Sequence, residues 1–332
     1  MVDFENRSAA YLTYVSTGSG ESHRLQPAMS SIPAYPAPPL SNDRFPSRSM
    51  RLSIPRTGYG ETHMAYEHIL LEEQDGIATL TINRPQVLNG LSTHTVAEMI
   101  HAVDSVRDRG TARVLLMTGA GRGFSSGADL SGGNAGAAPD SGLPSGPMDA
   151  GKVLETHFNP LLERLMDLPL PFVTAVNGPA AGAGASIALA GDIVIAARSA
   201  YFLQAFVNIG LVPDVGSTWI LPRLAGRARA QAMMMLGEKV PAAQALDWGM
   251  IYKVVDDDAL MAEAHALAAR LAKGPTRAYA LIRQGLRQCL DKPLSEGLMV
   301  ERRNQRLAGL TEDFAEGVTA FLQKRPANFK GR

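Results

Sequence analysis

The stretch that most constrains the fold is a glycine- and alanine-rich turn between two apolar runs. The runs are Phe172–Val176 and Ile193–Ala197, and Asn177–Gly191 reads NGPAAGAGASIALAG. This order predicts a buried strand, a tight turn and a short buried helix near Ile187–Ala190. A helix that starts in small residues leaves N–H groups open to a negatively charged oxygen. Close helix packing explains the same small residues, so both interpretations stand.

Composition narrows the class of protein. The 332 residues are 45% hydrophobic, which is enough for a substantial core. Lys+Arg and Asp+Glu number 32 each, so no net charge favours nucleic acid. The single cysteine, Cys289, excludes an intramolecular disulfide and favours a reducing compartment, which we expect to be the cytoplasm. No apolar run is long enough to predict a membrane span.

The first 63 residues differ from the rest. Residues 16–60 are rich in serine, proline and arginine and lack a sustained apolar period, which predicts disorder for 1–63. Asp3 and Glu5 argue against a secretory signal. The strand-like sequence that follows Met64 suggests the hypothesis that translation starts there. We predict an α/β core over 64–255 and a helical region over 256–332.

From Met64 onward, strand and helix patterns alternate. A hairpin is predicted from residues 66–71 and Ile77–Ile82 around Gln74-Asp75-Gly76. Helical periodicity covers Thr93–Arg109 and, with an interruption at Asn159-Pro160, residues 153–166. Residues 131–151 form a Gly/Pro/Ser-rich loop that is either a flap or an insertion. Such alternation predicts an α/β domain that binds ligands at the loops after its strands.

The last third is mainly helical. Predicted helices cover 215–225, 228–236 and 242–248, a short strand covers 250–255, and four helical segments follow from 259 to 324. This region either covers the α/β core or packs on another subunit. Core packing is the commoner explanation for its methionines, Met233–Met235.

Several common sites are absent from the sequence. Phe124 and Ile187 stand where a dinucleotide-binding turn needs its last glycine, and there is no phosphate-binding GxxxxGK[ST] loop. The seven histidines show no metal-ligand spacing, so we predict no metal. No GxSxG sequence favours a serine hydrolase.

Five motifs together resemble the crotonase family, the enoyl-CoA hydratases and isomerases. They are NRPQVLNGL at 83–91, TGAGRGFSSGADL at 118–130, AVNGPAAGAGASIALAGDIVIAA at 175–197, GLVPDVGSTWILPRLAG at 210–226 and EGVTAFLQKRPANF at 316–329. LVPDVGSTW followed by ILPRLAGRARA most resembles the 1,2-epoxyphenylacetyl-CoA isomerases of phenylacetate breakdown. The resemblance implies a spiral of ββα units with a helical C-terminal region that builds a homotrimer or a dimer of trimers.

The resemblance also assigns site residues. It implies an acyl-CoA thioester as substrate, no separate cofactor, and an oxyanion hole made by the N–H groups of Ala128 and Ala183. Such donors stabilise the negative charge that the thioester oxygen acquires. Further residues are expected to contact the CoA part of the substrate: Arg84, Val87, Ser126, Asp129, Phe321 and Lys324.

The acid/base residues separate isomerases from hydratases. Family hydratases use two glutamates, and the corresponding positions here hold Ser186 and Phe206, which cannot replace carboxylates. Asp214 is the remaining carboxylate of the motif, and the resemblance implies that it faces the acyl chain. An apolar wall of Phe202 and Phe206 would exclude water and raise its basicity. Without the resemblance, Asp214 is better explained as the N-cap of a helix starting near Val215.

The sequence therefore predicts an acyl-CoA isomerase in which Asp214 moves a proton across an enolate. The reaction is either rearrangement of an epoxyphenylacetyl-CoA to its oxepin or double-bond migration in an enoyl-CoA. Two alternatives stay open: an enoyl-CoA hydratase, and a non-catalytic homologue that binds acyl-CoA or RNA. No basic, aromatic-interleaved patch supports RNA binding.

Overall fold

The computed structural model describes residues 66–130 and 149–332, which belong to one unit, Thr62–Arg332. The predicted N-terminal extension over 1–63 lies outside the described residues, as does most of the predicted loop at 131–151. None of the described helices is long and apolar enough to cross a membrane.

Two sheets hold the strands of the described residues. The strands are β1 Ile69–Gln74, β2 Ile77–Ile82, β3 Val114–Gly119, β4 Phe172–Val176, β5 Pro179–Ala181, β6 Ile193–Ala197, β7 Tyr201–Leu203, β8 Lys239–Pro241 and β9 Lys253–Val255. The six-stranded sheet has the order β1-β2-β3-β4-β6-β9, and the three-stranded sheet has the order β5-β7-β8. In the larger sheet only β1 and β2 pair antiparallel; its other pairs are parallel.

The hairpin between β1 and β2 forms around two residues with positive φ. Asp75 has φ 53° and Gly76 has φ 75°, which are the values of a two-residue turn that matches the strand twist. Ile69 pairs with Ile82 and Gln74 with Ile77. The predicted hairpin is confirmed, with its first strand beginning at Ile69.

The centre of the larger sheet is apolar on both faces. Every residue of β3 and β4 is buried, as expected for parallel strands that are covered by helices on both sides. Leu116 pairs with Val173, and Thr174 pairs with Val194. The carboxyl ends of β3 and β4 therefore lead side by side into the two glycine-rich turns.

Helices cover this sheet and form the C-terminal region. The helices of the described residues are α1 Thr93–Arg109, α2 Ala150–Val153, α3 Asn159–Asp167, α4 Ala183–Leu189, α5 Ser217–Ala225, α6 Arg227–Leu236, α7 Ala242–Asp247, α8 Leu260–Ala272, α9 Thr276–Cys289, α10 Leu294–Gly309 and α11 Glu312–Leu322. A π-helical turn, Leu154–Phe158, joins α2 to α3, so the predicted interruption at Asn159-Pro160 is wrong. Pro160 directly follows the π-helical turn, and this local change of helix type accommodates its missing N–H without ending the helix.

The bounds of α1 are those the sequence predicts. Ser92 caps its start, with Oγ accepting from the N–H of Thr95 at 3.1 Å, and Gly110 ends it at φ 64°. Its buried face includes Val96, Met99, Val103 and other residues at helical spacing.

Strands and helices alternate along the chain as predicted, and the C-terminal region is helical, which confirms the predicted fold class.

Two arginines tie the C-terminal helices to the α/β core. Arg283, in α9, donates to the carbonyl oxygens of Leu165 and Leu170, each at 2.9 Å, and pairs with Asp192. Arg113, next to β3, donates to Phe329 O at 3.0 Å. These charge-assisted bonds fix both ends of the helical region on the core.

Candidate active site

The first glycine-rich turn, residues 118–130, is held by the segment that precedes α1. Buried Asn89 donates from Nδ2 to Ala120 O at 2.9 Å and Gly123 O at 2.8 Å, while Ser125 Oγ donates to Asn89 O at 2.8 Å. Asn89 itself has φ 57°, a left-handed conformation that asparagine tolerates better than most residues. The side chain of one residue thus replaces the backbone partners that an irregular turn lacks.

Two backbone hydrogen bonds flank Ala128, and neither of them uses its own N–H. Leu91 N donates to Gly127 O at 2.8 Å, and Asp129 N donates to Leu91 O at 3.0 Å. Across residues 66–130 and 149–332, no carbonyl accepts from the N–H of Ala128. The turn is therefore built so that this one N–H remains available to a ligand.

The second turn carries Ala183 at the start of α4. Gly182 adopts φ 51° and ψ −127°, and its N–H donates to Leu203 O in β7 at 2.8 Å. Ala183 is buried and begins the helix, so its N–H lacks an intrahelical partner. No backbone carbonyl of the described residues accepts from it either.

The two turns lie directly against each other. A Cβ atom on Gly127 would sit 3.4 Å from Ala183 N and only 2.8 Å from Ala181 O. Ala181 N donates to Ser125 O at 2.9 Å, which pairs the two segments. Glycine at 127 is what allows this approach, so the N–H groups of Ala128 and Ala183 belong to one small region.

Asp214 stands in a strained turn before α5. Val215 has φ 47°, a rare value for a β-branched residue, and Gly216 has φ 75°. The helix begins at Ser217 with Gly216 as its N-cap and no side-chain capping bond. The interpretation of Asp214 as a helix cap is therefore wrong, because the helix starts later than the sequence suggested and the carboxylate does not bond its N–H groups.

The carboxylate of Asp214 is shielded from water without a compensating partner. Its Oδ1 is buried and has no hydrogen-bond partner among the described residues. Burial alone raises the pKa of Asp214 to about 6, with no charged side chain contributing. A carboxylate with this pKa is ionised at neutral pH and is a better base than an exposed aspartate.

Phe206 covers the second turn. Its side chain is 7% exposed, and its Cζ would lie 3.6 Å from a Cβ built on Gly182. The ring therefore places apolar surface where the family's hydratases carry a carboxylate. Phe202 has no exposed surface and belongs to the core. Of the predicted apolar wall, only Phe206 therefore lies at the surface of the site.

Arg84 and Asp129, both predicted to contact CoA, bind each other in this structure. Ser126 is exposed, and its Oγ donates to Val87 O at 3.3 Å. These four residues thus surround the turn that carries Ala128. Their contact with a substrate stays a prediction.

Phe321 and Lys324 lie at the C-terminal end of α11. Phe321 is 82% exposed at the end of α11 and lines a cleft with Phe314, Phe329 and other C-terminal residues. Lys324 follows α11 with φ 53°. Their contact with a substrate stays a prediction.

Some polar residues of the site could not be identified from the sequence. Ser217 and Gln204 are buried and lie in a hydrogen-bond network with Ser186, and Asn89 organises the first turn. No spacing marks them, because their partners are distant in sequence and are backbone or hydroxyl groups. Only Ser186 had a signal, as a hydroxyl at a position where the hydratase pattern has a carboxylate.

Comparisons with known proteins show which proteins this chain is similar to. A family model described as enoyl-CoA hydratase/isomerase matches residues 72–332. The chain is 48% identical to the 1,2-epoxyphenylacetyl-CoA isomerase of Escherichia coli K12, over 80% of this chain and 99% of that protein. It is 44% identical to a probable enoyl-CoA hydratase of Rhodobacter capsulatus and 34% identical to the trans-2-decenoyl-[acyl-carrier-protein] isomerase of Streptococcus mutans, in both cases over 81% of this chain and 100% of that protein.

A solved structure shares the architecture. The crystal structure of an enoyl-CoA hydratase from Bacillus anthracis superposes with a TM-score of 0.73 at 28% identity, covering 80% of this chain and 100% of that one. The likeness therefore extends over the whole of the matched protein.

Proposed function

Because this chain belongs to the enoyl-CoA hydratase/isomerase family, we propose that it is an acyl-CoA isomerase with Asp214 as its single acid/base residue. The observation that carries the proposal is the buried, unpartnered Oδ1 of Asp214, together with Ser186 and Phe206 at the two positions where the resemblance expects glutamates in a hydratase. Hydration needs a water that is held and activated, whereas isomerisation needs one group that accepts a proton and returns it. The site offers the second arrangement.

In the proposed reaction the two turns bind the thioester oxygen. Negative charge develops on that oxygen when Asp214 removes a proton from the carbon next to the carbonyl, and the N–H groups of Ala128 and Ala183 would stabilise it. One such donor contributes roughly 3 kcal/mol to the transition state. Asp214 then returns the proton to a carbon further along the conjugated system, so the net change is a shift of double bonds.

Two substrate classes fit this proton transfer. One is an enoyl-CoA whose double bond migrates from the 3- to the 2-position. The other is an epoxyphenylacetyl-CoA, the substrate class named for the Escherichia coli relative, in which the carbon–carbon bond shared by the epoxide and the ring also breaks as the ring expands to the oxepin. The ring of Phe206 supports an aromatic-derived acyl group, because it offers an apolar surface next to Gly182.

Two further proposals concern the assembly and the compartment. Exposed apolar side chains of α9 and its C-cap, Ile282, Leu286 and Leu290, support association with further copies of the chain, which we propose to be a homotrimer or a dimer of trimers. The single cysteine supports work in the cytoplasm.

The test is a pair of assays run side by side on the wild type and on Asp214→Asn. One follows 3-enoyl-CoA to 2-enoyl-CoA isomerisation, and the other follows water addition to crotonyl-CoA. The matched control is Asp258→Asn, which changes an exposed aspartate in the segment just before α8. We expect Asp214→Asn to lose isomerisation by roughly 10²-fold or more, with Asp258→Asn unaffected.

A hydratase is the competing function, and the name of the Bacillus anthracis neighbour favours it. Strong crotonyl-CoA hydration that survives Asp214→Asn would establish that function and exclude the proposed one. Negligible hydration together with lost isomerisation supports the isomerase, and the same variants are then assayed with epoxyphenylacetyl-CoA.

A further inference from the structure

Three buried polar side chains form a hydrogen-bond network beside Asp214, which we call the Ser186 network. Ser186 Oγ lies 2.5 Å from Ser217 Oγ, and Ser217 Oγ donates to Oε1 of Gln204 at 3.2 Å. Each of the three residues is at most 1% exposed. Hydrogen bonds between buried groups are stronger than those at the surface, so the three side chains hold one another in place.

The network joins three separate elements of the fold. Ser186 is in α4, Ser217 is the first residue of α5, and Gln204 directly follows β7. The two serines are 31 positions apart in the sequence. A shift of any one element therefore breaks a buried hydrogen bond.

The hydroxyl of Ser186 also faces the backbone at Gly182 and at Asp214. Its Oγ lies 3.2 Å from Gly182 O and 3.3 Å from Asp214 O. Gly182 caps α4 and directly precedes Ala183, the proposed oxyanion donor. The single proton of this hydroxyl is donated to Ser217 Oγ, so Ser186 joins α4 to α5 while its Oγ lies between the backbones of the proposed donor turn and the proposed base.

The turn at Asp214 needs such a connection. A β-branched residue at positive φ, such as Val215, is strained and persists only where the surroundings enforce it. Oδ1 of Asp214 has no partner among the described residues, so it does not anchor the turn. The backbone carbonyl of Asp214 is anchored instead by the N–H of Ser217, which donates to it at 3.0 Å.

We propose that Ser186, Ser217 and Gln204 are positioning residues that set the distance and direction between the Asp214 carboxylate and the N–H of Ala183. The inference rests on the proposed function, which gives these two groups their roles. The three residues act through Asp214 and the turn at Gly182, and none of them transfers the proton itself. The hydroxyl at 186 thus has a defined task in an isomerase rather than marking a lost carboxylate.

The experiment compares Ser186→Ala and Ser217→Ala with a matched control, Thr174→Val. Thr174 Oγ1 is a buried hydroxyl that donates to Ala188 O at 2.8 Å, at the opposite end of the same helix α4. Two quantities are measured: kcat and KM for 3-enoyl-CoA isomerisation, and the titration of the Asp214 carboxyl carbon by NMR, assigned by its absence in Asp214→Asn.

Both network variants are expected to lower kcat roughly tenfold or more, since small displacements of a catalytic group are costly, while KM stays within about twofold. The titration midpoint of Asp214 should move to lower pH, because a loosened turn admits water to the carboxylate. Thr174→Val should change neither quantity. Gln204→Met, which removes the acceptor at the far end of the network, should reproduce the network variants.

Network variants that fold and match Thr174→Val in both kcat and titration would overturn the inference. Thermal unfolding of each variant identifies any that fail to fold, and the other two then decide the question. Failure of the proposed function has a different signature. Full isomerase activity in Asp214→Asn would reject Asp214 as the base, while the NMR titration would still report whether the Ser186 network positions that carboxylate.

Discussion

Arg84 Nη1 lies 2.9 Å from Oδ2 of Asp129, and both side chains are largely shielded from solvent. The same nitrogen donates to Gly90 O, so the pair connects the segment before α1 with the turn that carries Ala128. Residues predicted to contact the substrate therefore also form the frame around the proposed oxyanion donor. Their loss should affect stability and catalysis together.

Replacement of Arg84 by alanine tests this frame. Removing one partner of a shielded ion pair leaves the other charge without compensation and typically costs about 3–5 kcal/mol. We expect a loss in the free energy of unfolding towards the lower end of that range, measured by urea denaturation, and a fall in kcat from the displaced Ala128. Arg198→Ala is the control, because the Arg198–Asp256 pair is exposed and such pairs contribute about 1 kcal/mol or less. Equal losses in the two variants would contradict the framing role.

Activity should fall in acid with the titration of Asp214. The proposed base works only when ionised, and burial raises its pKa to about 6. We expect kcat/KM for isomerisation to be constant above about pH 7 and to fall tenfold per pH unit well below pH 6. A profile that stays flat down to pH 4.5 would exclude Asp214 as the base.

The same raised pKa predicts that Asp214→Asn stabilises the fold. The folded protein holds the Asp214 proton more tightly than the unfolded chain does, so stability from this group falls as pH rises from about 4 to about 6 and stays low above it. Asparagine carries no charge to desolvate. Its gain in the free energy of unfolding over the wild type should therefore be present at pH 7.5 and should vanish near pH 3.5, as chemical denaturation at both values would show.

Phe206 should keep water away from the second turn. Phe206→Ala removes the ring next to Gly182 and opens space beside Ala183. We expect isomerisation to fall roughly 10- to 100-fold, and the acid limb of its pH profile to move to lower pH as Asp214 becomes better hydrated. Phe206→Leu keeps an apolar side chain and should retain most of the activity. An alanine variant with an unchanged pH profile would show that the ring does not shield Asp214.

The sequence predicted the elements whose signals are local. The helix Thr93–Arg109 has an N-cap serine, an apolar stripe and a terminal glycine, and its bounds are those observed. Phe172–Val176 is an apolar run that ends at a turn, and it is a strand as predicted; the second apolar run, Ile193–Ala197, is also a strand. Strands of three residues, such as Pro179–Ala181 and Tyr201–Leu203, were missed because their pairing depends on distant partners.

The parts of the site that lie in a sequence motif could be predicted. The parts that depend on contacts between residues distant in sequence could not. The two glycine-rich turns and Asp214 were found from the resemblance. The buried contacts of Ser217 and Gln204 have no local signal, and Phe202 was assigned to the wall although it is wholly buried. The start of α5 was placed near Val215 and not at Ser217, because no local sequence signal indicates that Val215 takes a left-handed conformation.

Gly127 supplies the last test, because its lack of a side chain lets the two turns meet. An alanine Cβ at 127 would lie 2.8 Å from Ala181 O, and φ is 94°, so Gly127→Ala combines a backbone clash with an unfavourable conformation. Gly110→Ala is the matched control: φ is 64° and nothing lies within 4 Å of the added atom, so only the conformational cost of about 1 kcal/mol applies. We expect Gly127→Ala to exceed that loss in the free energy of unfolding and to lower kcat by roughly 10²-fold, because it separates Ala128 from Ala183. Equal stabilities and full activity in both variants would mean that the two N–H groups need not be held together.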